Sequence, residues 1–422
     1  MKKALLVVMV LLLLGAGALF GGGRAEEETD VVELTIWFGR EEFIPADRFA
    51  AFHAEYPNIR VTADVVPLEE VVAEFSRSAD ARRAPDVAQV GHNAVGPLVA
   101  RGLLRDMSDV FARWQQEDPE LYNDTADWAW TLPAWDGVPY GFGLHAGTNG
   151  SWMVYRKDVL ADLGYDGPPQ TWDELLEIAR AVRDSDYDMI PFSLIGSRVA
   201  EPIWVVGPFM AMGGQFVNDV PQVDSPAGRH LIEFHQILAR ENLTHPDVLA
   251  WSSGEMRAAF MAGDAAMAPI GWNIYPTIQR ELEYGVEWDH APMPVRAGAE
   301  NQARRMLIGW PYYVSRDTEH PYEVSLLLRY LARPDIVSEV AKRYQPASTL
   351  SVGQTAEYAQ AKPWAPDKIE WMPQLVPLPV HARSTALEEI WKDLLQESLT
   401  NTGADPAAMA RRYQQEINSV TQ

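Results

Sequence analysis

Glu41 and Glu42 invite an acid–base reading, and their spacing argues against it. Side chains of adjacent residues diverge on a strand or a helix, so the two cannot flank one scissile bond. With 59 acidic residues in 422, neighbouring pairs arise by chance. The nine histidines are scattered; His92 and His145 each fall in a loop that could border a site, yet a lone histidine is more often a satisfied or surface residue than a catalyst. No Walker A sequence, nucleophile elbow or paired-histidine metalloprotease helix is present. The absence of cysteine excludes disulfides, thiolate metal sites, cysteine nucleophiles and a lipid anchor on cysteine. Nothing implies a cofactor or a metal. The chemistry left is recognition: fifteen Trp, fifteen Tyr and thirteen Phe supply flat apolar faces, and Trp and Tyr add a polar edge.

Such side chains need elements to aim them. In Ser252–Tyr275, Met256 and Phe260 share one face of a short helix, and Gly263 stands where a left-handed cap is wanted. AAMAPI then reads as a buried strand ending at Pro269–Ile270, with Gly271-Trp272-Asn273 at its end. In open α/β sheets ligands bind at that end of the strand. By residues alone, Trp272 fits a ligand contact and a core position equally. Earlier, Val31–Phe38, Ile59–Val66 and Pro85–Val90 read as strands separated by helices, which argues for a parallel α/β sheet. The first ends at Trp37, with Arg40 and Glu41 just beyond; the third ends at His92-Asn93. Asp47–Tyr56 carries Phe49, Phe52 and Tyr56 on a helical face, and Thr171 with Glu174 forms a capping box opening a helix to about Val182. Met306–Val314 reads as a single late strand ahead of two helices.

Met1-Lys2-Lys3 and the apolar run Ala4–Phe20 have the layout of an export signal, with cleavage expected before Glu26; an uncleaved anchor is the competing reading. The formal net charge is -24, and loss of residues 1–25 removes three basic residues and no acid. A surface this acidic opposes binding to nucleic acid or anionic lipid, but not to a neutral solute.

Several of these segments resemble one family. The helix, strand and Trp272-Asn273 loop, the Pro85-Asp86-Val87 strand, Gly102–Asp106, the Asp136–Gly141 turn, the Tyr155–Asp158 strand end and the Thr171–Glu174 helix start are similar, in order, to the maltose-binding-protein-like extracellular solute-binding proteins of family 1. The resemblance spans roughly residues 31–420. It implies a two-lobed periplasmic-binding-protein fold (type II), α/β, each lobe a sheet flanked by helices and the ligand cleft between them. One lobe would take 31–146 plus 304–345 and the other 147–303 plus 346–422. Phe142–Gly150 would be the first crossing, with Gly143, Gly147 and Gly150 suited to a hinge. The implied cleft residues are Trp37, Glu41, Asn93, His145, Asn149, Glu201, Trp204, Trp272, Asn273 and Trp310, with Trp272 as the stacking ring. The implied function is capture of a mono- or oligosaccharide outside the cytoplasm by a monomer that delivers it to the permease of an ABC importer. The alternatives are the same fold binding a polyamine or another small solute, and a secreted carbohydrate-active enzyme.

Overall fold

In a computed structural model, three sheets of three or more strands organise residues 31–422; residues 148–149, 200, 342–346 and 366–374 are not described. The leader, Asn149 and Gln345-Pro346 therefore lie outside the described residues.

The first lobe is built on Val32–Phe38, paired in parallel with Ile59–Val65 on one side and Val87–Gln89 on the other. Its residues alternate between faces, as a strand requires. Leu34, Ile36 and Phe38 enter one fully buried cluster, while Trp37 points the other way, against the cluster of Val71 and Phe75. The Asp47–Tyr56 segment is helical only over Ala50–Glu55, because Phe49 sits at φ 68, left-handed backbone incompatible with the helix. Tyr312–Val314 and then Gly141–Phe142 extend the sheet with antiparallel pairing.

The second lobe orders its strands Trp288–Pro292, Trp152–Arg156, Ala265–Ala268 and Ile190–Phe192. The Thr171–Glu174 capping box forms as expected and opens the helix Trp172–Arg183. A second box, Ser252 with Glu255, starts the helix Ser253–Met261, which buries Met256 and Phe260 completely. Gly263 follows at φ +82. The strand then stops at Ala268, short of the expected end, since Pro269 has no N–H to continue the ladder.

Between the lobes, Arg305–Gly309 pairs in parallel with Leu375–Pro377 and antiparallel with Ala146–Gly147. Met306–Val314 is thus two strands in two sheets, broken at Trp310-Pro311. Pro311 cannot donate, and the chain turns there: Trp310 N–H bonds the His145 carbonyl at 3.0 Å, and Val90 N–H bonds the Pro311 carbonyl at 3.0 Å. Gly309 is required by close approach, because a Cβ would lie 2.4 Å from the His145 carbonyl oxygen. Of the three crossing glycines only Gly150 has left-handed backbone, at φ +77, and its missing Cβ would meet the Ile203 carbonyl at 2.4 Å.

The C-terminal helices Ser384–Thr400 and Pro406–Thr421 bury Leu387, Trp391, Tyr413 and Ile417 in the second lobe's core. The short helices Leu350–Gly353 and Ala356–Ala361, expected with that lobe, instead put Val352 and Tyr358 into the first lobe's core.

Candidate functional site

The crossover sheet has a cavity on each face. Alternation along Arg305–Gly309 points Leu307 to one and Ile308 to the other. The expected cleft residues divide between them.

The cavity on the Ile308 face, about 160 Å³, gathers one wall from each of three segments. The first lobe contributes Gly91, His92 and Asn93, from the 3-10 turn after the third strand. The second lobe contributes Glu201, Pro202, Ile203 and Val206, and the tight hairpin bearing Asp219. The helix Ser384–Thr400 and the loop before it supply His381, Ser384, Glu388 and Lys392, while Trp310 lies on the crossover itself. The Trp310 ring lies over Gly147, where an added Cβ would make ordinary van der Waals contact with Cζ3 at 3.7 Å.

Two hydrogen bonds cross this cavity's rim. Asn93 Nδ2 donates to Glu388 Oε1 at 2.6 Å, and Ser384 Oγ donates to the Asn93 carbonyl at 2.9 Å. Burial pushes the Glu388 carboxyl above its ordinary pKa, against the opposing pull of the Asn93 bond and Lys392. Asp219 is also raised, first by burial and then by the like charge of Asp136, with His381 pulling the other way. His92 is buried and donates Nε2–H to the Leu378 carbonyl at 2.8 Å; burial lowers its pKa, so it holds the strand end in place as a neutral ring. Lys392 is engaged by Glu389 at 2.8 Å.

The cavity on the Leu307 face is larger, about 470 Å³, and more aromatic. Trp272 lies here with Trp128, Tyr358 and Trp364. Trp272 is 5% exposed and packs edge-on against Trp152, the ring centroids 5.3 Å apart. Trp272 and Asn93, expected to share one ligand, therefore line opposite faces of the crossover sheet.

Asn93, Glu201 and Trp310 are brought together; the other expected residues that are described are not. Trp204 is in an entirely buried helix, Ile203–Ala211, where Ile203 and Val206 are three apart and share the cavity face while Trp204 turns into the core. Trp37 faces the first lobe's helices. Glu41 is exposed in a surface turn and paired with Arg48. Asn273 is half-buried beside Trp272 and lines neither cavity. His145 is buried against Phe43, with ring centroids 4.2 Å apart. Gly39 N–H bonds Gln89 Oε1 at 2.8 Å, which turns Gln89 Nε2 toward His145 Nδ1 at 3.1 Å. That nitrogen must accept, so His145 is neutral, and burial lowers its pKa to about 3.

Asp219 and Glu388 were not singled out from the sequence. Asp219 had a local signal, since Asn218-Asp219 between short apolar runs is a hairpin turn and both residues take positive φ. Glu388 had none; only the packing of its helix brings it opposite Asn93.

The model of the bacterial extracellular solute-binding protein family matches residues 40–337. A binding protein of Brucella abortus (strain 2308) is 22% identical over 241 residues, 56% of this chain and 57% of the relative. The match thus spans little more than half the length of that curated relative. Among solved structures, the sugar-binding protein MalE of Xanthomonas citri superposes with a TM-score of 0.77 at 18% identity, covering 92% of this chain and 97% of that one. Maltose-bound MalE3 of T. maritima gives 0.75 at 18%, covering 92% and 100%. A solute-binding protein from Thermotoga lettingae bound with α-D-tagatose gives 0.74 at 20%, covering 93% and 100%.

Proposed function

The chain belongs to the bacterial extracellular solute-binding protein family, and from that premise we propose that it captures a sugar or related polyol between its lobes for an ABC importer. The observation that carries this reading is the convergence of Asn93 from one lobe and Glu201 from the other on a single cavity that also holds Trp310. An amide, carboxylates and an aromatic face suit hydroxyl groups around a ring with apolar C–H faces. A cavity near 160 Å³ is of the size that admits one six-membered ring, which favours a monosaccharide over a long chain. The similar solved structures bound with maltose and α-D-tagatose support the same class of ligand.

In this reading the protein makes and breaks no bond, and the two lobes close on the solute as hinged binding proteins do. Asn149 lies outside the described residues and is assigned to the cleft by the resemblance alone. Residues 1–25 act as the export signal, and the exported monomer meets the permease outside the cytoplasm. A thermal-shift screen of the exported form against monosaccharides, polyols, disaccharides, amino acids and inorganic anions tests the proposal. A shift confined to sugars and polyols is the expected result. Stabilisation by amino acids or anions, with none by any sugar, would sink it.

A further inference from the structure

The acids of the cleft say what kind of solute it takes. From sequence, the acids expected in the cleft were Glu41 and Glu201. The structure moves Glu41 to the outer surface and brings in Asp219 and Glu388 beside Glu201. These three carboxylates come from three different segments and line one cavity of about 160 Å³. The only Lys or Arg lining it among the described residues is Lys392, whose ammonium is held 2.8 Å from Glu389. Arg198, on the neighbouring loop, is likewise turned outward by Glu389 at 2.9 Å and by Asp393.

Resting on the sugar-capture reading, we propose that the solute is an amino sugar whose protonated amine is received by Glu388 and Asp219. A neutral sugar needs acceptors and donors in balance, because each hydroxyl offers both. Here the side chains reaching the cavity are weighted towards acceptors. One of the two Asn93 amide N–H groups is taken by Glu388, and the Ser384 hydroxyl proton by the Asn93 carbonyl. Glu388 and Asp219 are each half-buried, and burial raises the pKa of each, with Lys392 beside Glu388 and His381 beside Asp219 offsetting that rise only in part. Asp136 of the first lobe adds like charge facing Asp219 of the second. An ammonium received by Glu388 and Asp219 relieves that repulsion. Trp310 provides the apolar face that holds the ring; because an aromatic face also attracts a bare ammonium, a linear polyamine is the competing occupant the test must separate.

The test is calorimetric titration at pH 7 with matched trios: the free amine, the N-acetyl form and the parent sugar in the gluco, galacto and manno series, with spermidine alongside. In at least one series the amine should bind about tenfold or more tighter than both neutral forms, the effect of one desolvated charge-assisted pair. Glu388→Gln keeps an oxygen for Asn93, and Asp219→Asn keeps the shape of the turn. Each should shrink the amine-to-parent affinity ratio toward one, with the urea midpoint checking that the variants fold. A parent sugar binding as tightly as its amine overturns the amino-sugar assignment and leaves sugar capture standing. Spermidine binding with no sugar in any series overturns both, and no binding by any of these probes overturns the amino-sugar assignment alone.

Discussion

His145 shows how one residue can be legible by position and misleading by type. It falls in the crossing loop, where a polar side chain reads as a ligand contact, yet the strand end carries it inward against Phe43 and Tyr312. Its groups in contact are Gln89 and aromatic rings, with no carboxylate among the described contacts. His235 is similarly buried, and burial lowers its pKa to about 3 as well. Both therefore remain neutral in the folded protein at pH values where the unfolded chain, with an ordinary pKa near 6.5, takes up protons. The unfolded state then binds more protons, so stability falls as pH falls from about 6.5 towards 3. Between pH 7 and pH 5 each can cost as much as ~2 kcal/mol. The raised carboxyls of Glu388 and Asp219 act in the opposite sense, gaining stability on acidification. Urea midpoints at pH 7 and pH 5 should show the loss, and His145→Gln should reduce it. A midpoint that rises at pH 5 and is indifferent to His145→Gln would refute the assignment. That Asn93, Glu201 and Trp310 line one cavity could be expected from the sequence, because strand ends and family order place them. Glu388 was not, because it depends on how a C-terminal helix docks, some three hundred residues along the chain from Asn93.

Among the elements, the crossover sheet decides most and was the hardest to foresee. Capping boxes and apolar periodicity are local, so the Thr171–Glu174 helix start and the Ser252–Tyr275 stretch could be read directly. The break in Met306–Val314 was also written locally, in Pro311, but its consequence is global. It sends Arg305–Gly309 to one sheet and Tyr312–Val314 to another, and so creates two opposite faces. Trp272 falls on the face away from Asn93, which changes what its removal should do. The sequence alone expects lost ligand affinity with little loss of fold; its burial against Trp152 predicts the reverse. Trp272→Ala should cost roughly 3–5 kcal/mol of stability, as for a large buried aromatic, with solute affinity changed little. Denaturation and calorimetry on the one variant separate the cases. A stable protein that no longer binds would place the solute in the Trp272 cavity and reverse the choice of face.

For the whole molecule, the hinge reading proposed above makes the two faces of the crossover sheet opposed: a rotation about it that narrows one cavity would widen the other. In the present arrangement the Asn93 side is narrow, about 160 Å³, and the Trp272 side wide, about 470 Å³. Asn93–Glu388 and Ser384–Asn93 tie the lobes across the narrow side. Moving a population from mostly open to mostly closed takes roughly 5 kcal/mol of preference for the closed form. The neutral Ser384 bond contributes about 0.5–1.5 kcal/mol of that and the Asn93 bond to a carboxylate about 1.5–3, so together they fall short of holding the lobes shut, and a solute bonded to both lobes supplies the remainder. The solute-free protein should populate an open form in which both rim bonds are broken, and small-angle scattering should show its radius of gyration fall on saturation. Asn93→Ala removes the side chain that bonds Glu388 and would reach the solute from the first lobe, so the same solute should bind more weakly and at equal concentration close fewer molecules. A radius unchanged at saturation in the wild type would mean a cleft closed before binding. The hinge role given to the crossings, and with it the idea that a permease reads closure as the sign of cargo, would then fail.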